Sequence, residues 1–409
     1  MLAQISQHQP DIPFVIHDWS GESKQYGAGP PRFILRIHTP QALKSILRNA
    51  DLGFGEAFMA GDIEVEGDLQ ALLAWQETPV FTQLDFSLAE KIRFVISTLL
   101  TRNTVEQVKN NVHHHYDLGN DFYQLWLDKS MTYTCAYFRH PDDSLDQAQW
   151  NKHDHICRKL RLQPGQTLVD VGCGWGAMLF HAAEHHDVIA TGYTISQAQH
   201  DWLQAKIKER GMVGRVHVKL KDYREIDEQY DRFVSIGMAE QIGQKYIDTY
   251  FQAVKKMLKP DGVGLLHTIG APIPVPTNPW MEKYIFPGGY IPSLGELVDS
   301  MGRFNLVPTD IEDLRLHYSQ TIDCWYRRFD AHEAEIEAMY DQRFIRMWRL
   351  YLNSVAYAFR HGRGRLYQLA FTNGLNNDQP RTRAFIYDQK LEEAPLFTND
   401  GYSYPPQMP

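Results

Sequence analysis

The sequence predicts an α/β protein: a mostly parallel, seven-stranded sheet covered by helices on both faces, preceded by a small α+β domain. Three observations carry this. From residue 167 onward, apolar β-like runs alternate with amphipathic helical stretches, the signature of consecutive βαβ units. The first of these runs, LVDVGCGWG at 168–176, feeds an apolar strand into a glycine-rich turn. Before residue 85 the runs are shorter and broken by proline and glycine, as in a separate domain.

The 409 residues suffice for two domains and at least one large core. A hydrophobic content of 43% and a charged content of 22% are those of an ordinary globular chain. The net charge of −9 argues against nucleic acid as a partner. Cysteines at 135, 157, 173 and 324 show no CxxC pairing, as expected for reduced thiols in a cytoplasmic protein. The N-terminus lacks a basic region followed by an apolar one, and no run reaches membrane-span length. Any membrane contact is therefore expected to be peripheral.

In order along the chain, domain 1–85 is expected to carry strands over 14–17, 32–37 and 63–65 and helices over 41–47 and 69–73. Ser87 and Glu90 form a capping-box signature for a helix to about residue 100, and a polar stretch at 101–111 follows. Residues 86–112 thus read as a helical linker, 113–390 as the main domain and 391–409 as a tail. In the main domain, strands are expected at 167–171, 188–193, 215–220, 233–238 and 262–267, with 318–324 and 366–372 completing the sheet. A helix over 178–185 follows the glycine turn. Another over 196–210 has Ser196 and Gln199 as a capping box and Gly211 as its stop.

The glycine turn points to a nucleotide-like cofactor. Glycine tolerates positive φ and lets a ligand approach the backbone, and the next helix offers its N-terminus. Gly172, Gly174 and Ala177 also satisfy a dinucleotide pattern, G-x-G-x-x-G/A. Two features favour S-adenosylmethionine (SAM). Asp170 lies at the strand end, placed to receive a charged amino-acid moiety, and the second strand ends in Thr194 rather than the acid that would hold an NAD ribose.

Residues 271–294 contain six prolines and two adjacent glycines, which argue against regular structure, yet Trp280, Tyr284, Ile285, Phe286 and Tyr290 are large and apolar. This reads as an aromatic lid over an apolar substrate, with a satellite core cluster as the plainer alternative. Six arginines and no acid lie between Arg343 and Arg365, and Arg343, Arg346 and Arg349 share one helical face. A solvated charged face competes there with contact to anionic lipid phosphates. Three consecutive histidines at 113–115 cannot converge on one centre from regular backbone, so no metal is expected. Cys135 has no evident base adjacent in sequence and reads as a small site-lining residue rather than a nucleophile.

Together, HYDLGNDFY (115–123), MTYTCAYF (131–138), VDVGCGWG (169–176), GYTISQAQ (192–199), SIGMAEQIG (235–243) and LLHTIG (265–270) closely resemble the cyclopropane-fatty-acyl-phospholipid synthases. GEAFMAGDIEVEGDLQALL (55–73) resembles the N-terminal domain of their full-length bacterial members. The resemblance implies a Rossmann-like SAM-dependent methyltransferase fold, with 1–85 as a lipid-recognition domain. It implies transfer of the SAM methyl to a cis double bond of a phospholipid acyl chain, at the inner face of the bacterial membrane. By motif, the implied cofactor contacts are Tyr133, Thr134, Gly172, Gly174 and the turn around them (with Asp170 and Gly176), Thr194, Gln199, Tyr223 and Arg224. Gln199 is claimed as both cap partner and cofactor contact; the cofactor role is preferred, with Ser196 capping alone.

The family is understood to hold a bicarbonate ion as base. That ion needs an acceptor carboxylate and several donors. Glu240, His267 and Tyr318 supply these by resemblance, with Cys135 and Ile269 contributing mainly backbone groups. The chain departs from the family at Ala239 and Gln241, where Phe and His are usual, and at Val355, where many members have cysteine. Expected partners are unsaturated phospholipids and an anionic membrane surface, with a homodimer left open. Competing readings are a SAM-dependent lipid methyltransferase giving a methyl-branched or methylene product, and a lipid-binding protein retaining SAM as a structural ligand. A nicotinamide oxidoreductase is the more distant alternative.

Overall fold

The computed structural model describes residues 12–76, 118–362 and 364–387. The expected helix from Ser87, the polar stretch at 101–111, the histidines at 113–115 and the tail at 391–409 lie outside the described residues.

The N-terminal part is a four-stranded sheet of β1 (Phe14–His17), β2 (Ser23–Tyr26), β3 (Phe33–Ile37) and β4 (Ile63–Gly67), in the order β2-β1-β3-β4. Phe14 stacks on Tyr26 and on Phe33, with ring centroids 5.0 Å apart in each pair, which pins the register of three strands. Between β3 and β4 lie α1 (Pro40–Arg48) and α2 (Ala50–Ala60), and α3 (Leu69–Gln76) follows. Thr39 caps α1 by accepting the Ala42 amide, and Pro40 pre-sets its first turn. The sequence reading missed polar β2 and also α2, which contains Gly53 and Gly55. Those glycines permit close packing: a Cβ on Gly53 would lie 2.2 Å from the Ser45 carbonyl oxygen.

The main sheet has the order β10-β11-β9-β8-β5-β6-β7. Its strands are β5 (Thr167–Val171), β6 (Ile189–Thr194), β7 (Val216–Leu220), β8 (Tyr230–Ile236), β9 (Leu258–Gly270), β10 (Leu306–Asp313) and β11 (Arg365–Asn373). Strands β5 to β9 run parallel; β11 pairs antiparallel with β9, and β10 pairs antiparallel with β11. Preceding β5 are α4 (Asn120–Trp126) and α5 (Leu145–Lys159); α6 (Ala177–His186) and α7 (Gln197–Glu209) connect β5 to β6 and β6 to β7. Further on lie α8 (Ile247–Met257), α9 (Pro279–Tyr284), α10 (Leu294–Arg303), α11 (Arg315–Ala331), α12 (Glu333–Met339) and α13 (Gln342–Arg360). Strand alternation divides two cores. Leu168 and Ala190 pack with Ile156, Met178 and Leu203, whereas Val169 and Tyr193 pack with Phe251, Leu297 and Met301. Helices therefore cover both faces, as the sequence predicts.

The seventh strand is not 318–324. Those residues belong to α11, where buried Tyr318, Ile322, Trp325 and Phe329 recur at helical spacing. The β-branched Thr321 and Ile322 imitate a strand over a short window. The true strand, β10, is an edge strand with one half-exposed face, Pro308 and a register shift between Pro308 and Asp310, so its apolar signal is weak.

The arginine run is not a free cationic face. Arg346 pairs with Glu64 of β4 at 3.2 Å, and Arg349 pairs with Asp330 and Glu333 at 2.6 and 2.7 Å. Arg360 pairs with Asp323, and the Arg343 guanidinium stands 5.9 Å from the Tyr284 ring centre. These residues fasten α13 to its neighbours.

Candidate active site

Strand order reverses between β5 and β8, so the crevice at their C-terminal ends is where an α/β sheet receives its ligand. Gly172, Gly174 and Gly176 turn the chain there with φ of 80°, 53° and 82°. The Gly172 and Cys173 amides both donate to the Tyr193 carbonyl, at 2.9 and 3.1 Å, which locks the turn onto β6. A Cβ on Gly174 would meet nothing within 4 Å, so this glycine faces open space. Gly176 differs: it caps α6, and a Cβ there would lie 2.4 Å from Leu203 Cδ1. Its part is to let α6 pack on α7, and it does not line the cavity.

The cavity is lined by Tyr133, Thr134, Asp170, Gly172, Gly174, Thr194, Gln199, Tyr223 and Arg224, so the structure brings together all the expected cofactor residues but Gly176. Ser196 caps α7 through the Gln199 amide, while the Gln199 side chain lies 2.9 Å from Thr194 Oγ1. Gln199 is thus directed to the cavity, and Ser196 caps alone. Arg224 grips Asp222 in two-pronged fashion, with both contacts at 2.8 Å.

Sequence reasoning missed Lys152, His153 and Asp222, which also line the cavity. Asp222 adjoins two expected residues at the end of β7, where position alone could have flagged it. Lys152 gave no such signal: it sits in a polar-looking helix, yet is wholly buried. Its Nζ donates to Thr134 Oγ1 at 3.0 Å, and burial lowers its pKa to about 8. Burial also raises Asp170 to about 7, against the opposing pull of Lys152. Asp170 Oδ1 is buried without a hydrogen-bond partner. A buried ammonium beside a buried carboxyl with an unmet oxygen suits a zwitterionic amino-acid group.

A second group lies where β8 meets β9. Ile236 pairs with His267 in register, and the Gly237 amide donates to the His267 carbonyl at 2.8 Å. The short turn Ala239–Gln241 then aims Glu240 at β9, where its Oε1 accepts the Ile269 amide at 2.6 Å. Glu240 Oε2 and His267 Nε2 are both buried without partners. Burial lifts Glu240 to about 7 and pushes His267 well below its ordinary value, so the imidazole is neutral. The Gln368 amide lies 3.2 Å from His267 Nδ1, which leaves Nε2 as the ring nitrogen without a partner. A carboxyl oxygen and an imidazole nitrogen are thus both left without partners near the junction of β8 and β9. Met238 and Gln241, on either side of Glu240, line the cofactor cavity.

Cys135 and Tyr318 lie on neighbouring chain segments. The Leu314 amide donates to Leu366, which pairs with Ile269, and Tyr318 stands on the following turn of α11. Cys135 Sγ donates to the Ala136 carbonyl at 3.1 Å, and burial holds the thiol up in its neutral form. The Ile269 amide is occupied by Glu240, so Ile269 positions that carboxyl instead of offering its N–H outward. An aromatic wall stands alongside: the Tyr133 ring lies 5.1 Å from Trp126 and from Trp325, and its hydroxyl meets that of Tyr351 at 2.7 Å.

The 271–294 segment is only partly irregular. Asn278 caps α9, and Trp280, expected in a lid, instead inserts into the N-terminal part. It is 3% exposed, its Nε1 lies 3.3 Å from Met59 Sδ, and a Cβ on Gly55 would lie 2.2 Å from its ring. Tyr284 and Lys283 both engage Glu56 of α2. The later half turns toward the site: Phe286 meets Tyr351 edge-on, and the Tyr290 amide donates to the Glu240 carbonyl at 2.8 Å.

Comparison with known proteins agrees with this geometry. Residues 103–369 match the family described as mycolic acid cyclopropane synthetase, and residues 1–79 match a domain of unknown function. The cyclopropane-fatty-acyl-phospholipid synthase of Escherichia coli K12 is 37% identical over 344 residues, covering 84% of this chain and 88% of the relative. The solved mycolic acid cyclopropane synthase CmaA1, complexed with SAH and CTAB, is 34% identical with a TM-score of 0.62, covering 64% of this chain and 98% of that one. The cyclopropane synthase MmaA2 from Mycobacterium tuberculosis is 33% identical, also with a TM-score of 0.62, covering 64% of this chain and 98% of that one. A fold of the SAM-dependent methyltransferase type, a cleft built for a charged nucleotide-like ligand and the matched span of residues converge: this chain belongs to the mycolic acid cyclopropane synthetase family of enzymes.

Proposed function

We propose that the protein transfers the methyl carbon of SAM to the cis double bond of an unsaturated phospholipid acyl chain and closes it to a cyclopropane ring. The observation that carries this reading is the pair of unmet buried atoms, Glu240 Oε2 and His267 Nε2, next to the cofactor cleft and an aromatic wall. With the His267 proton on Nε2, this acceptor and donor would fit bicarbonate, whose hydroxyl donates and whose other oxygens accept. Tyr318 would complete the donor set. When bound, SAM supplies a strongly electrophilic sulfonium methyl, and bicarbonate supplies a base.

The chain's own residues do the rest. Asp170 and Lys152 receive the charged amino-acid end of the cofactor, Gly174 admits it to the backbone, and Thr194, Gln199, Tyr223 and Arg224 hold the remainder. Attack by the alkene would form the new carbon–carbon bond as the methyl–sulfur bond breaks and S-adenosylhomocysteine leaves, and the faces of Tyr133 and its aromatic neighbours would stabilise the carbocation left beside the new methyl group. Ring closure then needs one methyl proton to leave toward the Glu240–His267 pocket. Cys135 lines the site as a neutral thiol, which does not trap the cation as a thiolate would.

We place this activity at the inner face of the bacterial membrane, reached peripherally, with the N-terminal part as the lipid-recognition unit. Among the described residues no helix is long and apolar enough to cross a membrane. The test compares phospholipids from bacteria with and without this chain by mass spectrometry and proton NMR. A gain of one CH2 unit with ring-proton signals supports the reading. The same gain with methyl-branch or methylene signals points to the alternative product, and no change in unsaturated phospholipids contradicts the substrate.

A further inference from the structure

Behind the cofactor cleft, α5 and α6 bring a thiol and two imidazoles together. Ligand atoms of Cys157, His181 and His186 all lie within 4.8 Å of one another. Cys157 is fully buried and His181 is 6% exposed. His181 Nε2 and His186 Nε2 are both buried without a hydrogen-bond partner. An unmet buried polar atom is costly, so two imidazoles that each carry one, clustered with a thiol, call for a common partner.

We propose that Cys157, His181 and His186 bind a zinc-class divalent ion. One sulfur and two nitrogens form a donor set that selects zinc or a neighbouring transition metal over magnesium or calcium. Zinc bonds of about 2.0–2.3 Å put tetrahedral ligand atoms roughly 3.5 Å apart, within reach of modest side-chain rotation from the observed spacing. On binding, the Cys157 S–H bond breaks, the sulfur–metal bond forms and the proton leaves to solvent. The fourth position falls to water. Asp154, one turn before Cys157, adds negative charge nearby, although it already pairs with Arg139 and Arg158. The ion ties together two walls of the cleft, because α5 also carries Lys152 and His153 into the cavity and α6 carries Ala177 and Met178.

The experiment uses the full untagged chain, stripped of metal and titrated with cobalt(II), then zinc. Expected are a thiolate-to-cobalt absorption band with tetrahedral visible bands, saturating at equimolar cobalt, and their loss as zinc displaces it. Zinc should raise the thermal midpoint. Cys157→Ala should abolish the charge-transfer band. His186→Gln, at a half-buried helix end where the fold tolerates change, should weaken cobalt at least about 100-fold. Far-UV circular dichroism and cooperative thermal unfolding serve as the check that both variants are folded. Absence of a thiolate band in the wild-type chain, or an unchanged band in both folded variants, overturns the assignment.

Discussion

The Ile269 amide donates to Glu240 Oε1 at 2.6 Å, leaving Glu240 Oε2 buried and unmet. One backbone group thus fixes the direction of the carboxyl while its working oxygen stays available. The same burial that leaves it available raises its pKa from 4.5 to about 7.

That shift has a stability signature. The unfolded carboxyl ionises near 4.5 and the folded one near about 7, so raising the pH through this window draws the proton off the unfolded chain first. The contribution is fully present below the lower value and is lost as pH climbs through the higher one. The loss is on the order of 3 kcal/mol. Denaturant unfolding of the ligand-free chain between about pH 5 and 8 should show a decline that is shallower in Glu240→Gln. Identical slopes in the two proteins would remove the assigned shift.

Gly174 and Gly176 should fail in different ways. Gly174→Val puts a β-branched side chain at φ 53° and into the cleft, so SAM binding should weaken at least about 100-fold. Gly176→Ala meets Leu203 instead and should cost roughly 1–3 kcal/mol of stability with SAM affinity nearly kept. Calorimetric titration beside thermal unfolding separates the two; equal effects on SAM affinity would contradict the division of labour.

Trp280→Ala removes a buried ring from the junction with α2 and should destabilise by about 3–5 kcal/mol. Gly55→Ala should disturb the same contact from the other side. Thermal unfolding of both variants is the check, and a midpoint unchanged for both would return Trp280 to a lid.

Because Arg346 and Arg349 are engaged internally, Arg346→Gln and Arg349→Gln should each cost about 0.2–1 kcal/mol. Binding to anionic vesicles should change little. A large, salt-sensitive loss in co-sedimentation would restore these arginines to membrane contact.

The legible parts were those where local chemistry and global fold agree. LVDVGCGWG reads as strand, turn and helix start because positive φ and close approach leave only glycine at its key positions. Asp170 was readable from its place at a strand end. Edge strand β10 was hidden, since half-exposure removes the apolar alternation and Pro308 argues against a strand. Residues 318–324 misled because Thr321 and Ile322 favour strands locally while Tyr318, Trp325 and Phe329 impose a helical period only over a longer window. Lys152 was illegible for a different reason: its burial is decided by what packs over α5, not by its neighbours in sequence. The docking of Trp280 on α2 is likewise a contact between distant segments, which composition alone does not encode.

The most direct test of the account is turnover of wild-type chain and Glu240→Gln on unsaturated phospholipid vesicles, in carbon-dioxide-free buffer and across added bicarbonate at fixed pH. Wild-type turnover should rise and saturate with bicarbonate. The variant should bind SAM within a few-fold of wild type, turn over at least about 100-fold more slowly and show no such rise. Full activity of Glu240→Gln in bicarbonate-depleted buffer would contradict the account at its centre.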